Sequence, residues 1–135
     1  MVKVMAFGTF DVFHKGHEDY LRQAKSFGDL LVVVVAKNSN VLRLKGKAPL
    51  LSEKKRLKAV SECKYVDKAI LGDENDTMKV VVDEKPDVIC LGYDQRINEG
   101  LLSDDLIDRG LKNVFIVRTS AYMPEVYKSS RLKSS

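Results

Sequence analysis

The chain contains two histidines, His14 and His17, and both fall in the stretch 8–17, which reads Gly-Thr-Phe-Asp-Val-Phe-His-Lys-Gly-His. Two imidazoles three positions apart at a helix start can point at one phosphate, and the free N–H groups there can hold an anion. This pattern predicts stabilisation of charge on a reacting phosphoryl group. Two alternatives remain open: an ordinary capped helix start, and a metal site that carboxylates would have to complete because the chain has no other histidine.

The segments on either side of this stretch predict the elements that position it. Residues 2–7 are mostly apolar and predict a short buried strand, whereas 18–27 has the periodicity of an amphipathic helix that begins near residue 16. We expect Gly28 to end that helix as a left-handed cap. One face of the helix carries four side chains that we expect in the core: Tyr20, Leu21, Ala24 and Phe27. The histidines therefore lie in a turn from strand to helix, where Gly16 lets the backbone approach a ligand.

The remainder of the chain alternates between strand and helix patterns. Residues 30–36 form a continuous apolar run rich in valine, which is typical of a parallel strand covered on both faces. The other predicted segments are strands at 68–71, 87–91 and 114–117, helices at 53–63, 76–85 and 101–109, a polar loop at 37–49 and a short helix from residue 128. The short connections require right-handed crossovers. The predicted fold class is α/β: one domain over residues 1–135, a doubly wound, Rossmann-like, five-stranded parallel sheet with helices on both faces.

Ligands of such sheets bind at the carboxyl ends of the strands. Polar and charged residues follow several of the predicted strands: Lys45 and Lys47 after the second, Gly92, Tyr93 and Asp94 after the fourth, and Arg118 and Thr119 after the fifth. We expect these residues to share one edge of the sheet with the histidine turn. A structural protein would not need this arrangement, and a nucleotide site would.

Three motifs together resemble a known family. Gly-Thr-Phe-Asp followed by His-x-Gly-His at the first turn, Gly-Tyr-Asp at 92–94, and Arg-Thr at 118–119 with Tyr-Lys-Ser-Ser-Arg at 127–131 are similar to the class I cytidylyltransferase-like nucleotidyltransferases. The resemblance covers essentially the whole chain. One departure is the spacer 120–126, which separates Arg118 from the serine segment further than in the cytidylyltransferases.

The resemblance implies roles for individual residues. His14, His17 and Lys45 would be catalytic, by stabilising charge on the phosphates, and Lys47, Tyr127 and Asp11 would contact the acceptor, although Asp11 could equally stabilise its turn. The implied nucleotide-binding residues are Gly8, Thr9, Phe10, His14, Gly16, His17, Asp94, Arg118, Ser129 and Ser130. The family has an arginine near the nucleotide on the helix predicted at 53–63, but we expect Arg56 to be a surface residue.

The family chemistry is transfer of a nucleotidyl group from a nucleoside triphosphate to a phosphate-bearing acceptor, with release of pyrophosphate. The overall pattern resembles the archaeal FAD synthases most, which implies adenylylation of FMN by ATP. The alternative within the family is cytidylylation of glycerol 3-phosphate by CTP, and the non-enzymatic alternative is a nucleotide- or flavin-binding module. In either reaction Mg²⁺ would arrive with the triphosphate, so no metal site of the protein is predicted.

Composition limits the class of protein. The 135 residues are 44% hydrophobic and 31% charged, which is typical of a globular domain, and the apolar run at 30–36 is too short to span a bilayer. The net charge of +4 is too small and too dispersed for a nucleic-acid-binding face. With no signal-peptide pattern in the sequence, we expect a cytoplasmic protein with small-molecule substrates, and the resemblance allows a homodimer.

Overall fold

The structure is a computed structural model that describes residues 1–121. Its elements, in chain order, are β1 (Lys3–Gly8), α1 (Lys15–Lys25), β2 (Leu30–Val35), α2 (Asn38–Lys45), α3 (Glu53–Ser61), β3 (Lys68–Leu71), α4 (Lys79–Glu84), β4 (Val88–Leu91), α5 (Glu99–Asp108) and β5 (Phe115–Arg118). The helix predicted from residue 128 lies outside the described residues.

The five strands form one parallel sheet in the order β3-β2-β1-β4-β5. The chain builds outward from β1 in one direction through β2 and β3, and then returns to the other side of β1 with β4 and β5. The order therefore reverses between β1 and β4, and ligands of open α/β sheets bind at such a switch point. The predicted doubly wound, Rossmann-like α/β fold is confirmed.

Two hydrophobic cores cover the two faces of the sheet. Alternate residues of β2 enter opposite cores, so that Val33 and Val35 pack with α1 and α3, whereas Val32 and Val34 pack with α4 and α5. This explains the continuous apolar run: in a parallel sheet with helices on both faces, every side chain of a central strand is buried. Among the described residues, no helix has the length and apolar character needed to cross a membrane.

A helix occupies most of the segment predicted as a polar loop at 37–49. Helix α2 buries Asn40 and Val41, and it ends at Gly46, whose φ of 77° lets its N–H donate to Leu42 O. The prediction was wrong because the asparagines and lysines of this segment give little helical periodicity. The burial of two side chains stabilises the helix instead.

The predicted end of the first helix was wrong in two respects. Gly28 is not left-handed; it is needed because a Cβ atom there would lie 2.7 Å from Val4 Cγ2 and 2.8 Å from Val2 O. Phe27 is 41% exposed and does not belong to the core. The helix already ends at Ser26, so the residues after it no longer follow its apolar face.

Candidate active site

The two histidines are fixed by the backbone of their own turn. His14 is the N-cap of α1, and its Nδ1 accepts a hydrogen bond from the Gly16 N–H (3.0 Å), while His17 Nδ1 accepts one from the His14 N–H (3.3 Å). The two rings stack with their centroids 3.9 Å apart. Because each Nδ1 accepts, the proton of each neutral ring lies on Nε2. The turn therefore carries two Nε2–H donors, one on each ring.

His17 is uncharged at neutral pH. Burial, followed by the neighbouring His14, lowers the pKa of His17 to about 4, and the Val12 backbone and Asp94 only partly oppose this. A neutral imidazole can still donate a hydrogen bond to a phosphate oxygen. His17 can thus offer an N–H group to a ligand, but not a fixed positive charge.

Phe10 packs against His17. Its ring is buried and packs edge-on against the His17 ring, with centroids 5.2 Å apart. To reach this position Phe10 adopts a φ of 53°, which is uncommon for a residue with a side chain. Gly8 makes room for it, since a Cβ at Gly8 would lie 2.7 Å from the Phe10 ring. Strained residues of this kind cluster at functional sites.

A cleft of about 320 Å³ opens beside the turn. We call it the histidine cleft; it is lined by His14, Gly16, His17, Asp19, Tyr20, Gly92, Tyr93, Asp94, Thr119 and Ser120. It brings together four of the predicted nucleotide-binding residues: His14, Gly16, His17 and Asp94. The loops after β4 and β5 are joined at its rim, where the Tyr93 N–H donates to Thr119 Oγ1 (3.1 Å).

A larger cleft, of about 590 Å³, opens on the opposite face of the sheet at the same carboxyl edge. We call it the apolar cleft; it is lined by Phe7, Gly8, Thr9, Val34, Ala36, Asn40, Leu44, Gly72, Thr77, Met78, Ile89, Leu91, Arg96, Ile97, Asn98, Leu101, Leu102 and Asp105. Of the predicted site residues, Gly8 and Thr9 lie here. Sequence reasoning missed this cleft because its apolar residues have the same pattern as core residues.

Arg56 is fully buried, so its prediction as a surface residue was wrong. Its guanidinium donates to Thr9 O (2.9 Å), Ala36 O (2.7 Å) and Leu51 O (3.2 Å) and to Asn38 Oδ1 (2.6 Å). It thus joins the residues that follow β1 and β2 to the start of α2. A buried arginine needs such partners, because an unpaired charge in the interior is costly.

Arg118 lines neither cleft. Its guanidinium donates to Gly92 O, Gln95 O, Ile97 O and Glu99 Oε2, at distances of 2.8 to 2.9 Å. Arg118 therefore shapes the loop between β4 and α5, which carries Asp94. Direct contact between Arg118 and a nucleotide stays a prediction.

Asp11 joins its turn to the segment just before α3, and no hydrogen bond within its own turn is seen among the described residues. Its two carboxylate oxygens accept from the N–H groups of Leu50 and Leu51, both at 2.9 Å, and these bonds hold the pKa of the carboxyl below its usual value.

Lys45 and Lys47 are exposed at the end of α2 and line neither cleft. The charge of Lys45 nevertheless contributes to lowering the pKa of both Asp11 and His17, so it acts on the site from a distance.

A family model described as cytidylyltransferase-like matches residues 5–135. The chain belongs to the cytidylyltransferase-like family. A curated relative from Thermoplasma acidophilum, named FAD synthase, is 51% identical over 98% of this chain and 92% of its own length. Another, from Archaeoglobus profundus, has the same name and is 49% identical over 96% of this chain and 82% of its own.

A solved structure shares the fold as well as the sequence. It comes from Thermoplasma volcanium and is described as a lipopolysaccharide core biosynthesis protein. It is 50% identical, has a TM-score of 0.86, and the match covers 91% of this chain and 99% of that one. This chain and that solved protein are thus alike in both sequence and fold.

Three of the residues that the family resemblance implies lie outside the described residues: Tyr127, Ser129 and Ser130. Their roles stay predictions, as do the cytoplasmic location, the homodimer and the absence of a nucleic-acid partner. Within residues 1–121, no three His, Cys, Asp or Glu side chains lie together as a metal site.

Proposed function

We propose that this protein is an FMN adenylyltransferase, an FAD synthase. An oxygen of the FMN phosphate attacks the α-phosphorus of ATP, the bond from that phosphorus to the β-phosphate bridging oxygen breaks, and pyrophosphate leaves. The observation that carries the proposal is the pair of stacked imidazoles at the start of α1, in a chain about 50% identical to FAD synthases over nearly its whole length.

The histidine cleft has the chemistry of a triphosphate site. His14, His17 and the N-terminus of α1 line this one cleft, and their N–H groups carry the positive partial charge that favours an anion. The reaction needs no general base, since a phosphate oxygen is already a nucleophile at neutral pH. Positioning and charge stabilisation then account for the catalysis, and His14 and His17 supply the charge stabilisation.

The apolar cleft suits the flavin. Its volume of about 590 Å³ and its lining by residues such as Leu91, Ile97 and Leu101 fit a large, flat ring system. Gly8 and Thr9 lie at its end nearest the histidine turn. A flavin bound in the apolar cleft would direct its phosphate toward that turn, where the nucleotide is held.

The remaining predicted residues have supporting roles in this proposal. Lys45 and Lys47, exposed beside the turn, would attract the phosphates, and Ser129 and Ser130 would hold the leaving pyrophosphate. Phe10 would offer its backbone N–H, and Tyr127 would contact the acceptor. Mg²⁺ enters with the triphosphate as part of the substrate, held by phosphate oxygens and water.

The test is an assay of FMN with Mg-ATP that follows FAD formation and pyrophosphate release together. We expect both products at equal rates, and we expect His17→Ala to lower kcat about 10²- to 10³-fold with an unchanged circular dichroism spectrum. Activity with CTP and glycerol 3-phosphate alone would replace the FMN assignment. Nucleotide binding without pyrophosphate release from any pair of substrates would identify a binding module instead.

A further inference from the structure

The hydrogen-bond ladder between β1 and β4 stops one rung early. The two strands pair in register up to Ala6 and Cys90. In a parallel ladder the next rung would join the Phe7 N–H to Cys90 O and Phe7 O to the Gly92 N–H. Neither bond is present between these strands.

The corresponding rung is direct in the other three strand pairs of the described sheet. Each of these pairs ends with a backbone N–H from the residue after one strand donating to the last carbonyl of its neighbour. The three bonds are Ala36 N–H to Gly8 O (3.0 Å), Gly72 N–H to Val35 O (2.9 Å) and Thr119 N–H to Leu91 O (2.9 Å). The break is therefore a property of the switch point and not of the carboxyl edge in general.

Two side chains replace the missing rung. The Tyr20 hydroxyl accepts from the Phe7 N–H (3.1 Å) and donates to Cys90 O (2.7 Å). The Gln95 amide donates from Nε2 to Phe7 O (2.8 Å) and accepts at Oε1 from the Gly92 N–H (2.9 Å). All four backbone groups are thus satisfied, while the strand ends stand apart by the width of a hydroxyl or amide group.

These two side chains suit the task because each both donates and accepts. Burial raises the pKa of Tyr20, which keeps its hydroxyl protonated and able to donate to Cys90 O. A leucine or phenylalanine at either place could separate the strands only by leaving buried backbone groups unpaired, which is costly.

The break lies where the two clefts approach each other. Phe7 and Leu91 line the apolar cleft on one face of the sheet, and Tyr20 and Gly92 line the histidine cleft on the other. An acceptor phosphate that starts in the apolar cleft must pass the carboxyl ends of β1 and β4 to reach a nucleotide beside the histidines.

We propose that Tyr20 and Gln95 are positioning residues that hold the ends of β1 and β4 apart, so that the acceptor phosphate reaches the α-phosphate of the nucleotide between them. The inference rests on the proposed function. We call the place where Tyr20 and Gln95 replace the direct hydrogen bonds the bridged rung. It sets the separation of the two clefts, and misplacement of reacting groups by about 1 Å can lower a rate about 100-fold.

The test compares Tyr20→Phe, Gln95→Met and the double variant with the wild-type protein. We expect kcat for FAD formation to fall about 10- to 100-fold in each single variant. The Kd of FMN and that of a non-reactive ATP analogue should each change less than about threefold, because the walls of each cleft remain. Tyr65→Phe is the matched control: Tyr65 packs against the core on the same face of the sheet, and its hydroxyl bonds to no described residue.

A nuclear magnetic resonance measurement reports the geometry independently of activity. We expect a through-hydrogen-bond coupling between the Phe7 nitrogen and the Cys90 carbonyl carbon in the double variant, where the strands can close, and none in the wild type.

Variants that keep kcat within about threefold of wild type would overturn the inference. Equal losses in kcat and in both binding constants would overturn it too, since they would indicate a general structural role. Failure of the wild-type protein to make FAD would instead count against the proposed function. The two failures are distinguishable because the wild-type rate tests the function, and the ratio of variant to wild type tests the positioning role.

Discussion

At the scale of single residues, His17 is a neutral hydrogen-bond donor, because its surroundings suppress the charge of its ring. The buried ring stacks on His14 and against Phe10, and the pKa of about 4 leaves it neutral across the physiological range. In the proposed reaction, a neutral donor would gain strength as negative charge grows on the phosphate oxygen that it contacts, and it would therefore favour the transition state over the bound substrate.

The depressed pKa of His17 makes the stability of the protein depend on pH. In the unfolded chain the ring titrates near its ordinary value of 6.5, so between about pH 6.5 and 4 the unfolded state binds more protons than the folded state. We expect the free energy of unfolding to fall as the pH is lowered from about 7 to 5, measured by urea titration. His17→Gln should remove most of that fall, and an equal fall in wild type and variant would contradict the shift.

The position of the two histidines, in the turn from β1 to α1, could be predicted from the sequence because their geometry is local. His14 and His17 are held by backbone groups within three positions, so spacing alone indicates their arrangement. Arg56 is the opposite case: its partners come from residues 9, 36, 38 and 51, and only the folded chain brings these segments together. A single arginine on an amphipathic helix looks like a surface residue until those contacts are known.

At the scale of the elements, α2 is the one the sequence did not predict. It carries the cations Arg43 and Lys45 in its last turn and ends at the left-handed Gly46. Its stability depends on the burial of Asn40 and Val41, which is a tertiary effect. The proposed roles of Lys45 and Lys47 depend on α2, because the end of the helix sets where these residues lie relative to the histidine turn.

Gly46→Ala tests that dependence, with Gly110→Ala as a matched control. Both glycines have positive φ, 77° and 89°, and in both a Cβ atom would meet open space. Each substitution should therefore lower the free energy of unfolding by about 1 kcal/mol, through backbone strain alone. We expect Gly46→Ala in addition to raise the KM for ATP, since it disturbs the end of α2, whereas Gly110→Ala follows α5 and should leave the KM unchanged. Equal KM values in the two variants would exclude a role for the end of α2.

At the scale of the whole molecule, the sheet and its two covering layers could be predicted because strand and helix periodicities are strong in this chain. The edge of the sheet at which the polar residues meet could be predicted from the parallel topology. The apolar cleft could not be predicted, because it depends on the distance of α4 and α5 from the strand ends, and no local sequence pattern encodes that distance. The bridged rung was hidden for the same reason: Tyr20 looked like a core residue, and the actual partners of its hydroxyl lie on two strands 13 and 70 positions away.

The reversal of strand order also divides the chain by sequence distance. Strands β1, β2 and β3 come from residues 3–71, whereas β4 must return across more than 80 positions to reach β1. Closing a longer loop costs more entropy, so contacts between distant segments form later on average. The first three strands can thus assemble before β4 pairs with the other edge of β1.

The site would accordingly form late during folding, because it lies between β1, which pairs early with β2, and β4, which pairs later with β1. Pulse labelling of amide hydrogens during refolding should show protection of Asp67 and Gly72, which bond to β2, before protection of Asp87, which donates to Lys3 O of β1. Simultaneous protection of the three amides would contradict this order. A chain interrupted in synthesis before β4 would then hold a formed histidine turn with no opposite wall, and so would expose its proposed catalytic groups without being able to use them.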